Sequence, residues 1–195
     1  MVNERKTESL VRDHFKKDSL FPKVVFEEQA SDNPRIIKLL KSASKKGIGQ
    51  GYPEFLITFP DQPDFVIVIE CKADIRKHES TTKDKYSDFA VDGAFLYSSY
   101  LSKEFDVLSI AVSGEKKSEL KISHFLQLKN TSSIEPIFGN KLLSLENYHK
   151  GYVQDERKFK QSYEDLLKYS KNLNDFLHAK KVKESDRSLL ISGIL

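Results

Sequence analysis

Cysteine is nearly absent from this chain: Cys71 is the one thiol in 195 residues. A single thiol excludes an intrachain disulfide framework and any cysteine-cluster zinc site, and it suits a reducing cytoplasm. The histidines, His14, His78, His124, His149 and His178, show no ligand spacing. No apolar run approaches the ~20 residues a membrane helix needs. The start, Met1-Val2-Asn3-Glu4-Arg5-Lys6, lacks the apolar core of a signal peptide. A cytoplasmic protein without a membrane partner is therefore expected. Gly47-Ile48-Gly49-Gln50-Gly51 is no phosphate-binding loop, because no Lys-Ser/Thr follows and it leads into a strand rather than a helix. Excess charge of one sign is also missing. With 32 Lys and Arg against 29 Asp and Glu, the net charge is +3, so any positive surface for nucleic acid must be local. There is no internal repeat and no low-complexity segment.

What is there is apolar material for a core. Hydrophobic residues make up 38% of the chain, with 13 Phe and 8 Tyr, enough for one compact domain with appendages. The most telling stretch is Phe65-Val66-Ile67-Val68-Ile69-Glu70-Cys71-Lys72. Its β-branched run predicts a strand buried on both faces. Strand side chains alternate, so Glu70 and Lys72 leave one face and Cys71 the other. Charges at the end of a core strand are costly unless paired or holding a metal. Gly51-Tyr52-Pro53-Glu54-Phe55-Leu56-Ile57 predicts a second strand that opens with an acid. The turn signals Pro60-Asp61-Gln62-Pro63-Asp64 make the two strands antiparallel, which brings Glu54 near Glu70.

Two carboxylates and a lysine converging at one sheet edge suit a hard divalent cation. Mg²⁺ takes oxygen ligands and often uses only one or two carboxylates plus substrate phosphate. Such an ion polarises a phosphoryl oxygen and acidifies a bound water, and Lys72 would add a compact positive charge beside the reacting centre. The plain alternative is a structural Glu-Lys pair at a strand end.

Pro53-Glu54 followed by Glu70-Cys71-Lys72 resembles the PD-(D/E)XK nuclease signature. Flanking segments narrow the likeness: Glu27-Glu28-Gln29, Ser31-Asp32-Asn33-Pro34, Ala43-Ser44-Lys45-Lys46-Gly47 and Ala90-Val91-Asp92-Gly93 resemble the N-terminal nuclease domain of single-chain restriction-modification enzymes. The resemblance covers most of residues 7–115 and implies a restriction-endonuclease-like α/β fold, a mixed sheet flanked by helices. It also implies a nuclease domain at 1–140 and a helical connector at 141–195 leading toward downstream methyltransferase and specificity domains. The implied cofactor is Mg²⁺, with Mn²⁺ as substitute, held by Glu54, Glu70 and the main-chain carbonyl of Cys71. Lys72 is the implied catalytic lysine, Glu8 on the first helix the implied additional acid, and DNA the implied partner. One such site cuts one strand, so double-strand cleavage would call for a second copy. The family's first acid is usually Asp; here it is Glu54.

Periodicity and punctuation organise the rest. Residues 4–17 predict a helix carrying Leu10, Val11 and Phe15, and Val24-Val25-Phe26 a short strand. Asp32 or Asn33 caps a helix beginning at Pro34 and ending by Gly47. Lys38, Lys41 and Lys45 would then share one helix face, with Lys46 beside them. That stripe is a candidate phosphate contact or an ordinary solvated face. Residues 74–84 predict a mobile loop at the mouth of the site, with His78 on it. A helix from about Tyr86 to Lys103 follows, its Gly93 and Ala94 allowing close packing, with Lys85, Tyr86 and Asp92 as polar candidates. Asp106–Val112 and Leu120–Leu128 read as further strands. The roles of Glu27 and Glu28 do not follow from the sequence.

Beyond Lys141 the chain is helical and highly charged. Residues 155–179 form an amphipathic pattern through Phe159, Tyr163, Leu166, Leu167, Tyr169, Leu173, Phe176 and Leu177. A last helix with Leu189, Leu190, Ile194 and Leu195 leaves an apolar face that expects a covering partner, a following domain or a second copy. Three functions stand: a metal-dependent DNA endonuclease domain, a nuclease-fold module that binds DNA or a partner without efficient cleavage, and a repair or junction nuclease of the same fold.

Overall fold

The computed structural model describes residues 3–194 and divides into two compact units, Met1–Glu146 and Asn147–Leu195. In the first, a six-stranded mixed sheet has its strands in chain order, β1 (Val25–Glu28), β2 (Phe55–Phe59), β3 (Gln62–Lys72), β4 (Asp106–Ser113), β5 (Lys121–Gln127) and β6 (Glu135–Pro136). All neighbours are antiparallel except β3 and β4. A parallel pair needs a long crossover, and α3 (Ala90–Leu101) supplies it. The α/β class and the flanked mixed sheet agree with the sequence.

β3 is the central element. Every residue from Phe65 to Cys71 is buried, Glu70 among them. The register pairs Phe55 with Ile69, and one further step sets Glu54 opposite Glu70. The main chain at Glu54 is held from β1, because Gln29 N donates to the Glu54 carbonyl at 3.2 Å. Ile36, Leu40 and Ala43 pack with Leu56, Val66, Val68, Tyr97 and Leu101 into one apolar cluster.

Helix α1 (Glu4–Lys16) begins at Asn3, whose side chain accepts from Arg5 N, and buries Thr7, Val11 and Phe15. Thr7 Oγ1 donates to the Gly114 carbonyl at 2.7 Å, which fastens the helix over the end of β3. Helix α2 (Pro34–Leu40), capped by Asn33, is shorter than expected. The Leu40 carbonyl accepts from Ala43 N and Gly51 N rather than from the helical ladder, so the chain turns out at Lys41 and Gly47 ends nothing. The expected lysine stripe therefore does not exist: Lys38 lies on α2 paired to Glu104, Lys41 and Lys46 are exposed, and Lys45 turns inward.

α3 also starts later than its apolar pattern suggests. Asp88 N and Phe89 N both donate to the Lys85 carbonyl, which keeps Lys85–Phe89 in turns. Asp92, fully buried on the first turn of α3, accepts from Ser80 N, Ser80 Oγ and Lys85 N. Buried His78 bonds Ser113 and Ser123 through its two ring nitrogens. The 74–84 segment is thus tied down at two buried points rather than being a free loop. Glu27 accepts from Ser31 Oγ and Asp32 N and so shapes the turn into α2, while Glu28 takes the Arg12 guanidinium in a two-bond fork that joins β1 to α1. Both are structural acids.

Residues after 140 still belong in part to the first unit, since His14 bonds the Leu143 carbonyl and Leu145 N donates to Asp18. α4 (Leu145–Val153) begins in the last residues of the first unit; α5 (Glu156–Ala179), capped by Asp155, and α6 (Glu184–Ile194) belong to the second. No helix among the described residues is long and apolar enough to cross a membrane. Leu189 and Leu190 are exposed; the Ile194 side chain and Leu195 lie outside the described residues.

Candidate metal centre

Three elements meet where β3 ends. Antiparallel pairing brings Glu54 beside Glu70, strand alternation puts Lys72 on the same side as Glu70, and α1 delivers Glu4. Carboxylate oxygens of Glu4, Glu54 and Glu70 all lie within 4.8 Å of one another. Lys72 Nζ donates to Glu4 Oε1 at 2.6 Å and stands 3.5 Å from Glu70 Oε1. Lys45 Nζ makes a close ion pair with Glu70 and lies 3.7 Å from Glu54 Oε1.

The cluster is buried but not satisfied. Glu70 is 0% exposed, and Oε2 of both Glu54 and Glu70 is buried with no hydrogen-bond partner. Unpaired buried carboxylate oxygens are costly, and a further cation or a proton at them would relieve that cost. Burial, then the neighbouring Glu70 charge, pushes the Glu54 carboxyl up to about 10. Burial works against the Lys45 and Lys72 ammoniums, but the Glu70 carboxylate outweighs it, and both pKa values end above the ordinary lysine range. Both lysines are therefore cations at neutral pH.

Packing sets the Glu70 side chain. A Cβ on Gly93 would come within 3.0 Å of Glu70 Cγ and Cδ and of the Tyr86 carbonyl, so the absence of a side chain on α3 makes room for this carboxylate. A Cβ on Gly51 would strike the Tyr97 ring at 2.7 Å. The Tyr97 hydroxyl in turn accepts from Tyr52 N at 3.2 Å, which steadies the approach to Glu54.

Glu54, Glu70 and Lys72 thus fall in one group. The helix acid among them is Glu4, not Glu8. Thr7 fixes the rotation of α1, and Glu4, one residue short of a full turn before it, meets Lys72; Glu8 lies a turn further on, its carboxyl raised by burial and by the Glu4 charge. Lys45 stands inside the cluster instead of on an outer stripe. Lys41, Lys46 and Lys85 are exposed, with the Lys85 main chain bound to Asp92. Asp92 holds the loop before α3 through Ser80 and Lys85 rather than joining the carboxylates. Cys71 is fully buried, and burial pushes its thiol well up, so it is an inert core residue. Glu4 was available to sequence reasoning only as an acid in the first helical turn, four residues from the equally plausible Glu8.

A hollow of about 990 Å³ lies elsewhere on this unit: Asp13, His14, Lys17, Lys117 and Lys141 line it, and it shares no residue with the acids. Compared with known proteins, the chain matches no family model, no curated protein and no solved structure.

The donor set fits the cation that the sequence motif implies. Carboxylate oxygens without nitrogen or sulfur ligands suit Mg²⁺ or Mn²⁺ and not a zinc-type site, and the orphaned Oε2 atoms of Glu54 and Glu70 are the coordinating positions such an ion would use.

Proposed function

We propose that the chain is a divalent-metal-dependent DNA endonuclease module with a restriction-endonuclease-like fold, the nuclease part of a single-chain restriction-modification enzyme. The observation that carries this reading is the convergence of the buried Glu54 and Glu70 carboxyls, whose Oε2 atoms meet no donor from any other residue, with the Lys72 ammonium 3.5 Å from Glu70. Glu54, Glu70 and the Cys71 main-chain carbonyl would hold Mg²⁺ or Mn²⁺, which when bound supplies Lewis acidity and a more acidic water. Lys72 keeps its charge between Glu4 and Glu70. It would orient the attacking water and offset negative charge growing on the phosphorus oxygens. Glu4 holds Lys72 in place, so it is a positioning residue. Exposed Lys41, Lys46 and Lys85 would meet backbone phosphates, which sets register but reads no bases. The remaining partners in this reading are methyltransferase and specificity domains of the same polypeptide, and a second copy for double-strand cleavage. The setting is cytoplasmic, which the buried lone thiol suits.

A second reading rests on a specific observation. Lys45 and Lys72 already pair with the acids, so the cluster has internal counter-ions and could serve a binding module that does not cut. Mg²⁺-dependent nicking of supercoiled plasmid separates the two. The expected result is nicking by the native chain that is lost in both Glu70→Ala and Lys72→Ala, while each variant keeps its helical and sheet circular dichroism. DNA binding with no metal-dependent nicking, and no difference on these substitutions, would favour the binding module.

A further inference from the structure

Lys45 is the one cation among the described residues that reaches both Glu54 and Glu70: it pairs closely with Glu70 and lies 3.7 Å from Glu54. Its side chain is 18% exposed, and it lies 5.5 Å from the centre of the Tyr97 ring. Lys72, by contrast, is tied to Glu4 and Glu70. Lys45 therefore stands on the Oε1 atoms of the two carboxyls whose Oε2 atoms a divalent ion would use.

The two cations compete for the same pair of carboxyls. A Mg²⁺ or Mn²⁺ ion sits about 2.0–2.2 Å from its carboxylate oxygens. An ammonium held at Oε1 of these two carboxyls would then lie only a few ångströms from an ion on their Oε2 atoms, and like charges that close in a buried site repel strongly. The way out is short. Ser87 Oγ donates to the Lys45 carbonyl at 3.2 Å, so the main chain stays put and only the side chain need turn. Beyond it the chain runs through exposed Lys46 and Gly47 at φ +97°, where a Cβ would meet nothing within 4 Å.

We propose that Lys45 is a displaceable counter-ion: its ammonium occupies the cation position between Glu54 and Glu70 and swings out when a divalent ion enters. This rests on the metal reading above. The exchange keeps a cation beside buried Glu70 in both states. It protects the empty site from the cost of uncompensated charge and sets metal affinity low until the ion is abundant. The displaced ammonium becomes free at the rim, where it can meet a phosphate.

The test is Mn²⁺ titration into the full chain, followed by calorimetry and by the electron paramagnetic resonance signal of the free ion. Lys45→Met removes the competing charge and should bind Mn²⁺ tighter by roughly five-fold or more, the lower end of ordinary coupling between two sites. Affinity that is unchanged or weaker in Lys45→Met overturns the exchange. Native protein gives a second measurement that needs no variant: amine acetylation read by peptide mass spectrometry. Saturating Mn²⁺ should raise modification of Lys45 and leave exposed Lys103 as it was. Unchanged Lys45 labelling under saturating Mn²⁺ overturns the exchange too. Glu70→Gln in the same titration separates the two levels. Mn²⁺ binding that survives Glu70→Gln overturns the metal reading and the exchange with it. Loss of binding there, combined with no gain in Lys45→Met, overturns the exchange alone.

Discussion

The two units use similar apolar residues to opposite effect. In the first, β3 buries seven consecutive residues, Phe65 to Cys71, between neighbours on both sides of the sheet. In the second, α5 runs for 24 residues without burying one, and Phe159, Tyr163, Leu167 and Phe176 are all more than half exposed. A buried strand can place a charged side chain to within a bond length, because backbone ladders and packing hold it on every side. An exposed helix holds its shape by local means: an Asp155 cap, a Lys168–Asp165 pair and contact with α6. The difference teaches where chemistry belongs. The acids that converge are anchored to the sheet unit, and no comparable cluster of acids, Cys and His occurs among the described residues of the other.

The largest expected effect concerns function. Glu70→Ala should lower Mg²⁺-dependent plasmid nicking by at least ~10²-fold, the scale of losing one charge-stabilising group, whereas Phe176→Ala on α5 should leave it unchanged. Equal losses would erase the functional contrast between the units. Stability comes next. Ile67→Ala in β3 should cost ~2–5 kcal/mol in denaturant unfolding, and Leu167→Ala within ~0.5 kcal/mol. Comparable costs would show that the α5 stripe is covered in solution.

Acid sensitivity sharpens the contrast. Burial, then the Lys121 charge, lowers the buried His78 imidazole to about 4 from an ordinary 6.5. The unfolded chain therefore takes up the proton first. Stability from this residue is full above pH 6.5 and drains as pH falls toward 4, by on the order of 1–3 kcal/mol. Thermal melts of native protein and His78→Gln across that window should converge as pH falls, and a constant gap would refute the assignment.

The smallest effects compare two helical glycines. Gly93→Ala forces a methyl to 3.0 Å from Glu70 and should weaken Mn²⁺ binding while costing ~1–3 kcal/mol by overpacking. Gly193→Ala in α6 meets nothing within 4 Å and should stabilise that helix by ~0.5–1 kcal/mol. The same substitution with opposite signs is the expected outcome, and matching signs would show that α3 yields around Glu70.

Much of this arrangement is legible in one dimension. The antiparallel pairing of β2 and β3, the crossover at α3 and the meeting of Glu54, Glu70 and Lys72 all follow from alternation, turn residues and a buried β-branched run. These are local or two-strand properties, and a period of two leaves little freedom. The helix boundaries were less legible. α2 stops early because the Leu40 carbonyl is claimed by Ala43 and Gly51, and α3 starts late because Asp92 gathers the loop before it. Neither bond leaves a trace in periodicity.

By itself, then, the sequence determined the sheet core and the carboxylate–lysine group at its end, because burial and strand alternation act on neighbouring residues. Tertiary structure alone decided the rest of the centre. Glu4 rather than Glu8 meets Lys72 because Thr7, bonded to the Gly114 carbonyl, sets the rotation of α1. Lys45 enters the cluster because α2 ends one turn before it and releases the chain inward. Gly93 matters because α3 crosses directly over the Glu70 carboxylate. Each depends on contacts between residues far apart in the chain, whose distances are set only when the helices dock on the sheet.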